Sequence, residues 1–434
     1  MALHILQLSD IHFTTRINEE TKLHEDVRRE LVADVRVLRD LVGQPMQAVT
    51  VTGDIAFAGK RGEYELAAKW LDQVIEACGC SHTAVLTVPG NHDVDRDRIR
   101  TSAKILHRSL RQVVPAQASK ELAELMTTGD PLLIDKLHDY QSFAACYGTP
   151  FESPSAPNWI RRFKLSETCS LDIIGLSTVQ VCDSNDAEGA MFLGPCQYVF
   201  ERTPNVETIV LMHHPTQWLR DRREAEDYLT TRAKVLIHGH EHLQKLEKNQ
   251  AANGYERLVL GSGAVTPEHA SDPYIYRYNL LAFEHVKDQS GHSLAVTVYP
   301  RIWSRNETRF KPDWDSLNGE QSVTFMLRSL QFGLQPLAGA AARAARTVMP
   351  LETEVPCASP AMLRHFFWRH LDWRERMNLL LRMGTLPPSP EIPLPHHVEA
   401  GAIAQTAASN RLAELWTLVM EHVPEDLRTS NPFT

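Results

Sequence analysis

The stretch TAVLTVPGNHDVDRD (residues 83–97) joins a short apolar run to an amide, an imidazole and a carboxylate. The apolar run is typical of a buried β-strand, and the Pro-Gly pair after it ends the strand. Taken alone, Gly90 and Asn91 would suit a turn, and Asp93 would suit the start of a helix. These polar residues indicate a functional site only if other strands of the chain end in the same way.

The composition is that of a folded chain with room for one large domain and a smaller one. The chain has 434 residues, of which 43% are hydrophobic and 23% are charged. The formal net charge of -9 supplies no overall basic field for nucleic acid or an anionic membrane. Seven cysteines are an odd number, which favours reduced thiols. Since no signal peptide or long apolar segment is evident, we expect a cytoplasmic protein with no membrane partner.

Apolar runs alternate with amphipathic stretches along the first part of the chain, and this rhythm predicts an α/β fold. We expect layered β-sheets flanked by helices, as in an α+β sandwich. The segment 95–148 has helical periodicity and predicts a helical cap insertion. The later strands follow one another with few helices, which is typical of antiparallel pairs. The predicted strands are at 3–8, 47–52, 84–88, 171–177, 208–212, 234–238, 257–261, 278–283 and 294–299.

Polar side chains follow five of these strands. The carboxyl ends of strands in an open α/β sheet meet at one crevice, so residues distant in sequence converge there. Oxygen and nitrogen donors without sulfur favour manganese, iron or zinc, whereas a magnesium site would be mostly oxygen. A set of seven such donors is too many for one ion but suits two ions that share a carboxylate. The polar residues at these strand ends are Asp10, His12, Asp54, Asn91, His92, Asp93, His213, His214, His238, His240 and His242.

These ordered motifs resemble the calcineurin-like metallophosphoesterases. The family pattern of D-x-H, G-D, G-N-H-D/E, H and G-H-x-H stands here as DIH, GD, GNHD, HHP and GHEH. The resemblance runs from about residue 3 to about residue 300, and it is nearest to bacterial members with a TGDIAFAGK-like segment. It implies a site that binds two metal ions. One ion is held by Asp10, His12 and His242, the other by Asn91, His213 and His240, and Asp54 bridges the two.

The resemblance also implies catalytic roles. A bridging metal-bound hydroxide attacks the phosphoryl group, His92 protonates the leaving oxygen, and Asp93 orients His92. An imidazole suits this task because it gains and loses its proton near neutral pH. His238 is expected to lie behind the ligands. His214 and three arginines (Arg96, Arg98 and Arg100) are candidates for contact with substrate, although the arginines would equally suit a solvated helix face.

The predicted function is a metal-dependent phosphoesterase, most simply a phosphodiesterase for a nucleotide or nucleic acid. Manganese is the expected metal, with iron or zinc as alternatives. Two other functions stay open at this point: a DNA nuclease effector of a bacterial conflict system, and a non-catalytic, metal-stabilised signalling or binding module. The chain has a net negative charge, and its sequence has no long basic stripe that would bind the phosphates of duplex DNA.

The chain is expected to divide after the last predicted strand. We assign 1–334 to the phosphoesterase domain, 335–360 to an Ala/Pro-rich linker and 361–434 to a small helical domain. The helical part resembles, by its periodicity and short tail, the death-like effector-associated domains that join effectors to protein partners. The alternative is a helical extension packed on the phosphoesterase.

Overall fold

The computed structural model describes residues 2–128, 130–151, 158–251, 254–267, 275–289, 291–329, 332, 349–350, 360–386, 394 and 396–433. Within these ranges the chain forms two β-sheets flanked by helices, which confirms the α/β class. In chain order the strands are β1 (Leu3–Leu8), β2 (Ala48–Val51), β3 (Val85–Thr87), β4 (Trp159–Lys164), β5 (Ser170–Gly175), β6 (Val206–Met212), β7 (Val235–His238), β8 (Gln244–Gln250), β9 (Glu256–Ser262), β10 (Arg277–Asp288), β11 (Gly291–Ser304), β12 (Arg309–Pro312), β13 (Val323–Arg328) and β14 (Met349–Pro350).

Each sheet contains a parallel part that carries the motifs. The first sheet runs β12-β11-β10-β1-β2-β3, with β13 paired to β11; β1, β2 and β3 are parallel, and β10 to β13 pair antiparallel. The second sheet runs β14-β4-β5-β6-β7-β9-β8, and β5, β6, β7 and β9 are parallel. The antiparallel pairing expected late in the chain is therefore confirmed for β8 with β9 and for β10 with β11 and its neighbours.

The helices cover the outer faces of the sheets. Helix α1 begins at Asn18, whose side chain accepts a hydrogen bond from the Thr21 amide at 2.8 Å. The helical insertion predicted at 95–148 is present as α3 to α6, joined by short 3-10 turns. In chain order the helices are α1 (Glu19–Val42), α2 (Arg61–Cys78), α3 (Thr101–Gln112), α4 (Pro115–Thr128), α5 (Pro131–Ile134), α6 (His138–Cys146), α7 (Pro195–Tyr198), α8 (Arg222–Leu229), α9 (Pro360–His370), α10 (Trp373–Met383), α11 (His396–Ala408) and α12 (Leu412–Met420).

Two apolar clusters hold the layers together. Successive strand residues point to opposite faces of a sheet, so Ile5 packs between the two sheets while its neighbour Leu6 packs beneath the helices. In the second sheet, Leu211 likewise packs between the sheets, and its neighbour Met212 packs beneath the helices. The inner strands of both sheets, such as β1, β2, β6 and β7, are therefore buried on both faces, which fixes the loops at their ends. Among the described helices, none combines the length and the apolar character that crossing a membrane requires.

The C-terminal helices pack on the α/β part of the chain. Helix α9 contacts α6, and its buried His365 ring lies 5.9 Å from the ring of Tyr147, with Nδ1 2.9 Å from the main-chain oxygen of Cys146. Arg369 forms an ion pair with Asp72 of α2 at 2.9 Å. This is the arrangement of a packed extension; a partner-binding role for 361–434 stays a prediction. The linker predicted at 335–360 lies outside the described residues, apart from 349–350 and 360.

The buried imidazole of His365 predicts a pH dependence of stability. Burial, and then the neighbouring His82, lower the pKa of His365 to about 3, whereas a histidine in the unfolded chain has a pKa of about 6.5. The unfolded chain therefore binds one more proton between these two pH values, and the free energy of unfolding falls as the pH is lowered through that window.

We expect His365→Gln to reduce this slope by up to about 1.4 kcal/mol per pH unit, the value for one proton. Urea unfolding at several pH values between 4 and 7 measures it. His422→Gln is the control, because His422 is exposed and lies just after α12; it contacts Glu375 at 3.3 Å, and its replacement should not reduce the slope. An H365Q slope equal to that of the wild type would contradict the prediction.

Candidate metal centre

Asp54 lies at the centre of the predicted site. The loop after β2 places its Oδ2 atom 3.4 Å from His12 Nε2 and 3.3 Å from His213 Nε2. Its Oδ1 atom accepts a hydrogen bond from the His92 amide at 2.7 Å. One carboxylate therefore joins residues that follow β1, β3 and β6, from both sheets.

The first predicted ligand group is brought together. Donor atoms of Asp10, His12 and His242 all lie within 4.8 Å of one another. Asp10 is fully buried, and its Oδ1 atom is 3.2 Å from His242 Nε2. His12 Nδ1 donates to the main-chain oxygen of Thr266 at 2.9 Å, which turns Nε2 toward Asp54.

The second predicted group meets at Asn91. Its Oδ1 atom is 3.0 Å from His213 Nε2 and 3.0 Å from His240 Nδ1. His213 Nδ1 donates to the main-chain oxygen of Thr52 at 2.8 Å, so this ring is oriented by a carbonyl in the same way as His12. The indole ring of Trp218 lies 4.1 Å from the His240 ring and supports it from behind.

The two buried carboxylates stabilise positive charge at this point. Burial alone would raise the pKa of Asp54, but His213 and His92 hold it well below its ordinary value. Burial alone would lower the pKa of His12, yet the hydrogen bond and charge of Asp54 raise it to about 9. The pKa of His213 is likewise raised to about 9, against burial, by Asp54 and then Asp10. The site therefore favours a cation held between carboxylates.

Backbone strain is concentrated at the same residues. A positive φ is uncommon for residues other than glycine and costs about 1–3 kcal/mol at such a position. The surrounding structure must hold these residues in their strained conformation, and such clustered strain is typical of functional sites. The strained candidate ligands are Asp10, His12, Asp54, His240 and His242, with φ between 51° and 72°.

Two motif glycines leave room for the carboxylates. A Cβ atom added at Gly90 would collide with Oδ1 of Asp54, and one added at Gly239 would collide with Ser9 Oγ and lie 2.8 Å from Asp10 Oδ2. The glycines of G-N-H-D and G-H-x-H are therefore required because the carboxylates approach the backbone closely at these positions. Packing, rather than metal binding, explains the glycines in both motifs.

The residues present fit divalent metal ions. The pKa of His240 is lowered to about 3 by burial and then by His213, so this ring is neutral and able to act as a ligand. Buried His214 donates or accepts through Nδ1 with Thr178 Oγ1 at 2.8 Å, while its Nε2 atom has no hydrogen-bond partner among the described residues. Donor atoms of His213, His214 and His240 also lie within 4.8 Å of one another. Imidazole and carboxylate donors together suit manganese, iron or zinc.

The sequence of the site-bearing region matches a known family. A family profile described as Calcineurin-like phosphoesterase matches residues 3–244, and this range contains all the candidate ligands. The chain belongs to the calcineurin-like phosphoesterase family.

Other proteins show more distant similarity to this calcineurin-like phosphoesterase. The metallophosphoesterase-like protein YydB of Bacillus subtilis is 24% identical over 320 residues, which are 70% of this chain and 62% of the relative. This chain thus spans 62% of the length of that relative. Purple acid phosphatase PPD1 from yellow lupin (Lupinus luteus) seeds is 10% identical, with a TM-score of 0.39, over 78% of this chain and 57% of its own. NAD nucleotidase of Haemophilus influenzae is 13% identical, with a TM-score of 0.34, over 77% and 57%.

His92 and Asp93 of the phosphoesterase take different positions. His92 lies at the rim, half-buried, and its Nδ1 atom is 2.8 Å from the main-chain oxygen of Phe57. The buried Asp93 carboxylate accepts hydrogen bonds from the amides of Ile55 and Ala56 at 3.0 to 3.3 Å. The Phe57 carbonyl is thus one contact that orients the His92 ring, and Asp93 binds the loop that carries this carbonyl; the role of Asp93 in orienting His92 stays a prediction. Burial, and then the charge of Asp54, raise the pKa of Asp93 to about 6.

The arginines predicted to meet substrate are placed on the helical insertion. Arg98 Nε donates to the main-chain oxygen of Asp135 at 2.9 Å, and Arg100 forms an ion pair with the Asp135 carboxylate at 3.1 Å. Arg96 is exposed. The contacts of Arg98 and Arg100 favour a structural role, and contact with substrate stays a prediction for all three. His238 ends β7, is buried, and lies 3.0 Å from the main-chain oxygen of Gly239 through Nδ1.

The loop TGDIAFAGK carries supporting residues that sequence reasoning missed. Lys60 Nζ contacts Asp95 and Asp97, each at 2.6 Å, and so ties this loop to the one that carries Asn91. Tyr64 of α2 donates its hydroxyl to Asp93 Oδ1 at 2.9 Å. In the sequence these contacts are marked only by the order K-R-x-x-Y after the G-D motif. This order does not by itself indicate a binding or catalytic role.

Proposed function

We propose that the protein is a phosphodiesterase that acts on a nucleotide or nucleic acid and uses two divalent metal ions, with manganese as the working metal. The observation that carries this proposal is the position of Asp54, whose single Oδ2 atom lies between His12 and His213. A carboxylate placed between two donor groups is suited to bridge a pair of ions. In this assignment Asp10, His12 and His242 would hold one ion, Asn91, His213 and His240 would hold the other, and Asp54 would serve as a ligand to both.

The ions, when bound, lower the pKa of water and neutralise phosphoryl oxygens, which a phosphoester needs before hydroxide can approach it. The chain contributes orientation and proton transfer. Carbonyl oxygens of Thr266 and Thr52 fix the rings of His12 and His213 with Nε2 toward the centre. Phe57 holds His92 through Nδ1, and Nε2 is the atom that would protonate the leaving oxygen.

The openness of the site supports an extended substrate. Asp10, Asp54 and His213 are fully or almost fully buried, whereas Asn91, His92 and the two histidines of G-H-x-H are only half-buried. The donors therefore line the floor and one wall of an accessible surface. A diester with a group on each side of phosphorus can lie across such a surface, and this favours a phosphodiester over a small enclosed monoester.

The proposal predicts metal content and activity together. We expect protein stripped of metal and then saturated with manganese to hold two ions per chain by elemental analysis, and to hydrolyse bis-p-nitrophenyl phosphate only in the loaded form. Iron and zinc are tested in parallel. Chelation should also lower the melting temperature, because ions that bind only the folded chain stabilise it. Binding of at most one ion under saturating manganese would contradict the binuclear assignment.

A substrate panel separates the proposal from its alternatives. Cyclic nucleotides, nucleoside phosphates and linear single-stranded DNA are compared with the loaded protein. Preference for long DNA would indicate a nuclease effector, although the net charge of -9 does not favour a duplex partner. Two bound ions without hydrolysis of any ester would indicate a metal-stabilised binding module.

A further inference from the structure

A cavity of about 340 Å³ opens beside the metal centre. It lies on the side of His12 that faces the start of α1, and its size falls in the range of small-molecule sites. Its walls combine one aromatic ring with a few polar groups. The lining includes His12, Thr14, Arg16, Phe57, Thr266 and Pro267.

His92 connects this cavity to the metal centre. Its ring lies 4.8 Å from the ring of His12 and 5.2 Å from the ring of Phe57. In the proposed function His92 protonates the leaving oxygen. A leaving alcohol bound at His92 would therefore extend along Phe57 into the cavity, because the opposite direction leads to the buried donors around Asp54.

Phe57 and Arg16 contact each other at one side of the cavity, with the guanidinium over the aromatic ring. The guanidinium carbon of Arg16 lies 5.8 Å from the centre of the Phe57 ring. Stacked planes lie about 3.5 Å apart, so a flat ring between the two groups needs about 7 Å. Arg16 is exposed and can move outward by the difference. A guanidinium plane on one face and an aromatic ring on the other is an arrangement that holds nucleobases.

Away from His12, the described lining of the cavity carries one acid and one base, Glu20 and Arg16, whose formal charges balance. This end of the cavity therefore favours a neutral occupant. A second phosphate would require an excess of cations. The hydroxyl of Thr266, a residue only 2% exposed, has no hydrogen-bond partner among the described residues. It offers one polar contact to a ligand in the cavity.

We infer that this cavity is the leaving-group site for a nucleoside, whose base lies between Phe57 and Arg16. The inference rests on the proposed phosphodiesterase function and narrows it to diesters in which the leaving alcohol is a nucleoside. Water adds to phosphorus, the bond from phosphorus to the nucleoside oxygen breaks, and that oxygen takes the proton of His92. Of the two protons of the water, one stays on the product phosphate or is lost from it to solvent, and the other returns through solvent to His92, so the reaction needs no further reactant.

Two diesters that differ only in the leaving alcohol test the inference. Methyl phosphate is esterified either with the 5'-hydroxyl of thymidine or with a second methanol, and kcat/KM for release of thymidine or of methanol is measured with the manganese-loaded full chain. The readout is the ratio of the two values, since general damage to the metal centre lowers both together. We expect the wild type to prefer the nucleoside ester.

Phe57→Leu and Arg16→Ala should each lower this ratio by about 5- to 150-fold, the range that loss of base stacking gives. Phe57→Tyr should keep it. Arg36→Ala, an exposed arginine farther along α1, is the matched control and should leave the ratio within twofold. Unchanged ratios in both F57L and R16A would overturn the inference while the phosphodiesterase function stands.

A binding measurement separates failure of the inference from failure of the proposed function. Thymidine itself, which has no phosphate, is titrated into the wild type and F57L, and saturation-transfer NMR detects contact. If neither diester is cleaved but thymidine binds the wild type and not F57L, the cavity is a nucleoside site and the phosphodiesterase proposal is wrong. If thymidine binds neither protein, and neither diester is cleaved, both are wrong.

Discussion

Asp54→Asn should lower kcat/KM for bis-p-nitrophenyl phosphate by about a thousandfold or more. The amide has nearly the shape of the carboxylate but lacks its charge, and Asp54 is the group that faces both His12 and His213. Charge stabilisation by bound metal is worth several kcal/mol, and each 1.4 kcal/mol is about tenfold in rate. The substitution should also reduce bound manganese below two ions per chain, since a bridging ligand serves both.

Steady-state kinetics and elemental analysis on the same sample check this expectation. Asp26→Asn, an exposed aspartate of α1, removes the same charge far from the site and should change neither quantity. A D54N protein that keeps two ions and more than a tenth of the activity would exclude the bridging role. Loss of activity with two ions retained would instead assign Asp54 to the positioning of His92, whose amide it accepts.

The candidate site was predictable because the same sequence pattern, polar residues directly after an apolar strand, occurs several times along the chain. An aspartate, a histidine or an asparagine followed each of five strands, and strand ends in a layered α/β fold converge. The order of the motifs then identified the family, and the structure brings the candidate donors together. What the sequence could not supply was the orientation of each ring. That depends on the main-chain oxygens of Thr52, Thr266 and Phe57, which every residue type carries alike.

Two of the strands that escaped prediction, β4 and β8, lack a continuous apolar run. The edge strand β8 has the sequence QKLEKNQ and is mostly exposed, so neither burial nor alternation marks it. Strand β4, WIRRFK, does alternate, but its two central arginines interrupt the apolar run; Arg162 is paired with Asp172 on the neighbouring strand at 2.6 Å. Pairing with a neighbour, rather than local composition, makes both segments strands.

The C-terminal helices were predicted from their periodicity, but their location was not. The rings of Phe366, Phe367 and Trp416 belong to the same apolar cluster as the sheet and helices of the phosphoesterase part. A periodic pattern shows that one face of a helix is apolar, but it does not show which part of the protein covers that face. The interface with α6 depends on His365, which composition alone would assign to a surface.

His92→Ala should separate substrates by their leaving groups. The ring is held through Nδ1 by the Phe57 carbonyl, which can only accept, so Nδ1 carries hydrogen and Nε2 is the atom that exchanges a proton. General acid catalysis contributes about 10²- to 10⁴-fold where the leaving oxygen needs a proton. We therefore expect a loss of this size for a nucleoside or alkyl diester. A p-nitrophenyl ester, whose leaving group is stable as the anion, should slow by less than about tenfold.

His92→Gln sharpens the test, because glutamine retains a hydrogen-bond donor but cannot transfer a proton. If His92 acts only by positioning the phosphoryl group, His92→Gln should recover most of the activity that His92→Ala loses. If it acts as the acid, both variants should lose the alkyl ester equally and keep two bound ions. Since the His92 amide donates to Asp54 through the main chain, neither substitution removes that contact, and equal slowing of both ester types would reject the acid role.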